Sequence, residues 1–68
     1  MEEKNLYILT DGDDHHLMIS DELEEVKQRF DWHVKQAPGE AYMVARFVKM
    51  PGDKEYRFLS VITNNGGY

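Results

Sequence analysis

The chain contains no cysteine. Disulfides, thiolate metal sites and a thiol nucleophile are therefore excluded. No apolar run approaches the ~20 residues that a membrane-spanning helix needs. The first residues, MEEKN, are acidic where a secretory leader is basic. The sequence thus predicts neither a transmembrane helix nor a signal peptide, and a cysteine-free chain is compatible with a reducing, cytoplasmic setting. Basic residues are also scarce: eight Lys and Arg stand against thirteen Asp and Glu, a formal charge of −5. An acidic surface repels phosphate, which predicts no direct contact with nucleic acid. It favours basic partners instead, including proteins that themselves hold nucleic acid.

The charge is unevenly placed. Residues 1–34 carry ten acids and three bases, whereas residues 35–68 carry three acids and five bases. Hydrophobic residues make up 41% of the chain, enough to bury a core and too many for a disordered segment. Sixty-eight residues make one small domain, stabilised by packing alone or by packing and a partner. We expect its core at about residues 5–63, with residues 64–68 as a flexible tail.

The one segment with a clear helical period is Ser20 to Ala37. Leu23, Val26, Phe30, Val34 and Ala37 fall on one stripe. Ser20 is the expected N-cap, and Asp21, Glu22, Glu24 and Glu25 suit the positive end of the helix dipole. Pro38 forbids continuation and Gly39 releases the chain. Trp32 lies off the stripe, nine residues after Leu23, on the outward side with Glu25, Gln28, Arg29 and Gln36. An aromatic residue set among charges is the type of anchor that binding surfaces use.

β-favouring residues flank this helix. Asn5 to Thr10 predicts a first strand, Asp11 to Asp14 a turn, and His15 to Ile19 the returning strand. Ala41 to Met50 predicts a third strand, Pro51-Gly52-Asp53 a tight turn, and Glu55 to Thr63 the last strand. The ββαββ order predicts an α+β two-layer sandwich, a four-stranded and mainly antiparallel sheet with one helix on one face. In element order it resembles β-grasp domains. That resemblance implies a first and a last strand lying parallel in the centre; a different strand order within the same class is the alternative.

A sheet covered on one side should alternate apolar and polar residues, and this one alternates poorly. With Leu6, Ile8, Leu17 and Ile19 toward the helix, Tyr7, Leu9 and Met18 are left on the other face. In the second hairpin Val44 and Val48 oppose Met43 and Phe47, and Leu59 and Val61 oppose Tyr56, Phe58 and Ile62. Either register leaves large apolar side chains on the uncovered face, the mark of a partner or oligomer contact.

Residues able to carry chemistry are few. Asp11, Asp13, Asp14, His15 and His16 form the densest polar cluster, with His33 a further imidazole. Adjacent strand residues point to opposite faces, so His15 and His16 do not readily share an ion. The acids also lack the glycine and terminal glutamate of a calcium loop. The cluster therefore predicts a solvated turn and no metal site. Ser20 and Ser60 have no base and orienting group in sequence context, and no glycine loop cradles a phosphate. We expect no enzyme, no catalytic residue and no cofactor.

These features predict a protein-binding module, a small acidic inhibitor or adaptor of a larger and perhaps nucleic-acid-handling protein, of the sort that compact viral genomes encode. The expected contact residues are Trp32, Arg29 and Glu25 on the helix and Tyr7, Met18 and Phe58 on the uncovered sheet, the latter forming a homodimer. Gly66-Gly67, followed by Tyr68, resembles the di-glycine tail of ubiquitin-like modifiers and sulfur carriers. That resemblance implies a carrier whose tail is trimmed after Gly67. A small homo-oligomeric structural domain is the remaining alternative.

Overall fold

A computed structural model of the chain describes residues 4–66. The elements are β1 (Lys4–Asp11), β2 (His16–Ser20), α1 (Leu23–Gln36), β3 (Tyr42–Lys49) and β4 (Arg57–Asn64). The four strands form one open sheet in the order β2-β1-β3-β4, and all neighbours run antiparallel. This is the expected α+β two-layer sandwich. The β-grasp strand order is not the one adopted: β4 pairs with β3 at the sheet edge, and no parallel pair joins it to β1.

Local chemistry accounts for each junction. Asp14 N–H donates to the Asp11 carbonyl at 3.1 Å, and Asp11 N–H to the His15 carbonyl at 3.2 Å. Asp14 has φ 63°, so a three-residue loop ends in the left-handed conformation that short hairpins use. Asn and Asp tolerate that region better than most residues. The second hairpin turns at Met50–Asp53, where Asp53 N–H donates to the Met50 carbonyl at 2.9 Å. Pro51 supplies the first central position and Gly52, at φ 93°, the second, as a type II turn requires.

The helix begins later than its sequence suggests. Ser20 ends β2, and its hydroxyl accepts the Glu22 N–H at 3.0 Å. The capping position is Glu22, which makes no side-chain capping bond. Ser20 therefore shapes the two-residue connection and does not cap the helix. At the far end Ala37 N–H donates to the His33 carbonyl at 2.9 Å, and Pro38 follows.

The stripe behaves as its period dictates. Val26 and Phe30 are buried with Leu9, Tyr42 and Val44, and Leu23, Val34 and Ala37 pack around them. The sheet face they meet is the opposite of the one expected. Leu9 pairs with Met18 on β2 and with Val44 on β3, and direct partners share a face. Tyr7, Leu9 and Met18 thus turn toward the helix, and Leu6, Ile8 and Ile19 turn away. Both parities of β1 are apolar, so β1 alone does not decide. In β3, Tyr42, Val44, Arg46 and Val48 share the helix side, and Met43, Ala45, Phe47 and Lys49 the other; Tyr42 and Val44 join the core under the helix. Pairing Leu9 with Val44 then carries the whole of β1 with it, because a one-residue change inverts every side chain.

The ordered region extends past the expected tail boundary. Asn64 belongs to β4, and Asn65 accepts the Tyr42 N–H at 3.0 Å and donates to the Glu40 carbonyl at 2.6 Å. Asn65 thereby holds the entry to β3 against the exit of β4. Gly67 and Tyr68, which complete the di-glycine tail, lie outside the described residues.

Candidate interaction surfaces

Two surfaces stand out, one on each side of the sheet. The first is a cleft of about 430 Å³ lined by Met18, Glu25, Gln28, Arg29 and Trp32. The i, i+3 and i+4 spacing of α1 brings Glu25, Gln28, Arg29 and Trp32 to one side of the helix, and Met18 on β2 closes the wall. Trp32 is 52% exposed. The Arg29 guanidinium carbon lies 5.9 Å from its ring centroid, within reach of a cation–π contact. The His33 ring meets Trp32 edge-on with centroids 4.9 Å apart and also lies 5.3 Å from the Tyr42 ring. The Trp ring is thus held from below and beside, with its outer part bare.

The cleft opens beside concentrated negative charge. Asp21, Glu22, Glu24 and Glu25 are all exposed at the start of α1. A hydrogen bond that the protonated Glu22 carboxyl donates to the Glu25 carboxylate raises the Glu22 pKa above the usual range, and repulsion from Glu25 and Asp21 adds to the shift. Acidic residues in a first helical turn normally gain from the dipole; at Glu22 the hydrogen bond and the neighbouring negative charges together favour the protonated form. A cation brought to this end would relieve the repulsion.

The second surface is the sheet face turned away from the helix. Leu6, Ile8, Met43, Ala45, Phe47, Phe58, Val61 and Ile19 share it by register. Phe47 and Phe58 meet edge-to-face with centroids 5.7 Å apart. Phe58 is 56% exposed and Ile19 53%, and no second layer covers them among the described residues. A shallow depression of about 690 Å³ sits between Leu6, Ile19 and Tyr56, with Lys4 and Asp21 on its rim.

β4 extends this apolar surface around the sheet edge. The helix backbone lies close to β1, β2 and β3, and among the described residues it does not approach that of β4 as closely. The pairing of β4 with β3 slips twice, leaving Leu59 and Ile62 without direct partners. Each slip sets two β4 residues against one of β3. Leu59 and Ile62 are exposed at these slips, Phe58 and Val61 lie on the open side, and Ser60 and Thr63 lie on the helix side.

Of the six residues singled out in the sequence, four converge on the helix cleft: Glu25, Arg29, Trp32 and Met18. Met18 was expected on the open sheet face and does not reach it; nor does Tyr7, which packs against the core under the helix. Phe58 lies on the open face as expected. Gln28 lines the cleft beside Trp32, on the outward side where the helical period places it, whereas Ile19 was expected toward the helix and is exposed. The inverted register accounts for Ile19, since it exchanges Ile19 with Met18.

The polar hairpin is a structural clasp. Asp11 Oδ1 accepts the N–H groups of Asp13 and His15 at 2.9 and 3.0 Å, and Oδ2 lies 3.1 Å from His15 Nδ1. The bond from the His15 amide leads in holding the Asp11 carboxyl below the usual range, against a smaller desolvation effect. Ligand-type atoms of Asp11, Asp13 and His15 lie within 4.8 Å of one another. His16 and His33 do not join that group. No helix among the described residues is long and apolar enough to cross a membrane.

The chain matches no protein-family model, no curated protein and no solved structure.

Proposed function

We propose that the chain is a non-enzymatic protein-binding module, a small acidic inhibitor or adaptor that engages a basic surface of a larger protein with the outer side of α1. The observation that carries this reading is the cleft around Trp32, where a half-bare indole and Met18 sit beside four exposed acids. Large aromatic side chains that are partly pre-positioned contribute most of the energy at such contacts, and charge guides the encounter. A nucleic-acid-handling protein is the partner class this charge suits best, since its basic surface is already shaped to receive phosphate. The cell interior is the proposed setting.

The test is a capture experiment from source-cell extract with wild-type, Trp32→Ala and Glu25→Lys forms as bait, followed by kinetics on the captured protein. Wild type should retain a basic partner that both variants lose, with an association rate that falls as salt rises. A partner retained equally by all three, or a rate flat in salt, overturns the assignment of this surface. Trp32→Ala should cost about 1 kcal/mol or less of folding stability, because the ring is half exposed, so loss of binding would not reflect unfolding.

A further inference from the structure

We infer that the sheet face opposite the helix is the contact surface of a homodimer, in which two copies stack open face to open face about a two-fold axis. The inference stands on a different surface from the Trp32 cleft and survives or fails independently of it.

Charge favours a second copy on this face and on no other side of the sheet. The chain has thirteen acidic residues, and two copies repel through most of their surface. The strand register places no Asp or Glu on the open face among the described residues: Asp11 shares its side with Tyr42, under the helix. Lys4 and Lys49 lie at one margin of it, and Asp21, just beyond the end of β2, borders its rim. Stacking these faces sends both acidic helices outward, to opposite ends of the dimer, where their repulsion is weakest and their clefts stay open.

The area suits a weak dimer. Three strands have eight residues, roughly 26 Å each, and β2 has five, roughly 17 Å; at about 4.8 Å spacing they project roughly 450 Å². Stacking two such faces buries on the order of 900 Å² in total, the range of weak and transient contacts. Such a contact gives dissociation constants in the micromolar range rather than an obligate dimer. Ile19, Phe47, Phe58 and Val61 would form its apolar centre.

Pairing through the free edge of β4 is the competing geometry, and the structure disfavours it. The two register slips bend and twist that strand, a device that keeps edges from pairing. Edge pairing would also leave the open face bare.

Sedimentation equilibrium of the full chain across about 1–500 μM decides the matter, with variants placed on the two sides of β4. A monomer–dimer equilibrium is expected. Phe58→Lys and Val61→Glu should each weaken it at least about tenfold, as truncation of central apolar contacts does. Ser60→Lys and Thr63→Lys, on the helix side of the same strand, should change it by less than about threefold, as residues outside the contact do. Ile19→Lys, on β2 at the other edge of the sheet, provides a second open-face variant should Phe58→Lys unfold; circular dichroism of each variant reports folding. A monomer at every concentration overturns the inference. So does a dimer that Ser60→Lys or Thr63→Lys disrupts and the open-face variants leave intact.

Discussion

Leu9→Ala removes most of a fully buried side chain from the centre of the core, between Met18, Val44 and the helix residues Val26 and Phe30. The deletion loses the transfer energy of the removed carbons and leaves a cavity. Changes of this kind cost about 2–5 kcal/mol, toward the upper end where neighbours do not collapse. Here the neighbours are held on both sides, by two strand ladders below and the helix above, so a value near 4 kcal/mol is expected. A domain of 68 residues has a total stability of roughly 3–10 kcal/mol at ~0.05–0.15 kcal/mol per residue. The variant should therefore be marginal, with a melting temperature lowered by on the order of 15–30 °C, at ~4–8 °C per kcal/mol. Ile19→Ala, at a side chain more than half exposed, should cost less than about 1 kcal/mol. Urea unfolding followed by far-ultraviolet circular dichroism measures both. A large loss for Ile19→Ala with little change for Leu9→Ala would mean that the helix covers the other face, and the assignment of both surfaces would fall with it.

Two pH predictions follow from the carboxyl groups. Glu22 has a raised folded-state pKa, so its ionisation penalises folding; the penalty is absent below the unfolded value and complete above the folded one. Glu22→Gln should raise the melting temperature at pH 7, do so less in high salt, and have no effect near pH 3; destabilisation at pH 7 would contradict the repulsion described. Asp53 is the opposite case: the Arg57 guanidinium foremost, with the Met50 N–H at 3.0 Å, holds its carboxyl below the usual range. Its contribution is full above the unfolded value and disappears as pH falls through the folded one. Asp53→Asn should thus lower the melting temperature at pH 7 and converge with wild type in acid; a constant difference across pH would reject that role. Asn65→Ala should destabilise by about 1–2 kcal/mol through loss of the bonds to Tyr42 and Glu40, measurable by the same unfolding curves.

Much of the architecture was legible because several local signals agreed. The stripe Leu23, Val26, Phe30 and Val34, the break at Pro38, the Asp-Gly turn and the Pro-Gly turn each have one structural meaning. The outward position of Trp32 follows from counting alone. Strand order and facing were not legible in the same way. Leu6, Tyr7, Ile8 and Leu9 are all apolar, so alternation carries no information in β1, and the answer depended on a pairing with β3 more than thirty residues away. Met18 and Tyr7 were misplaced for that reason alone. The start of the helix was misread because Ser20 has two local uses, cap and turn, and the strand that precedes it favours the turn. Asn65 gave no signal at all: only the pairing of β3 with β4 brings it to Tyr42.

In the proposed arrangement the two sides of one sheet divide the labour, with a partly exposed apolar face for self-association and an acidic helix cleft left free for a partner. Two-dimensional nuclear magnetic resonance spectra recorded over a hundredfold range of protein concentration test both halves at once. The amide and aromatic signals of Ile19, Phe47, Phe58 and Val61 should move or broaden as concentration rises, while the Trp32 indole and the signals of Glu25 and Arg29 stay fixed. Movement at Trp32 with an unchanged open face would reverse the roles of the two surfaces, and spectra unchanged throughout would show that the open face associates with nothing of its own kind.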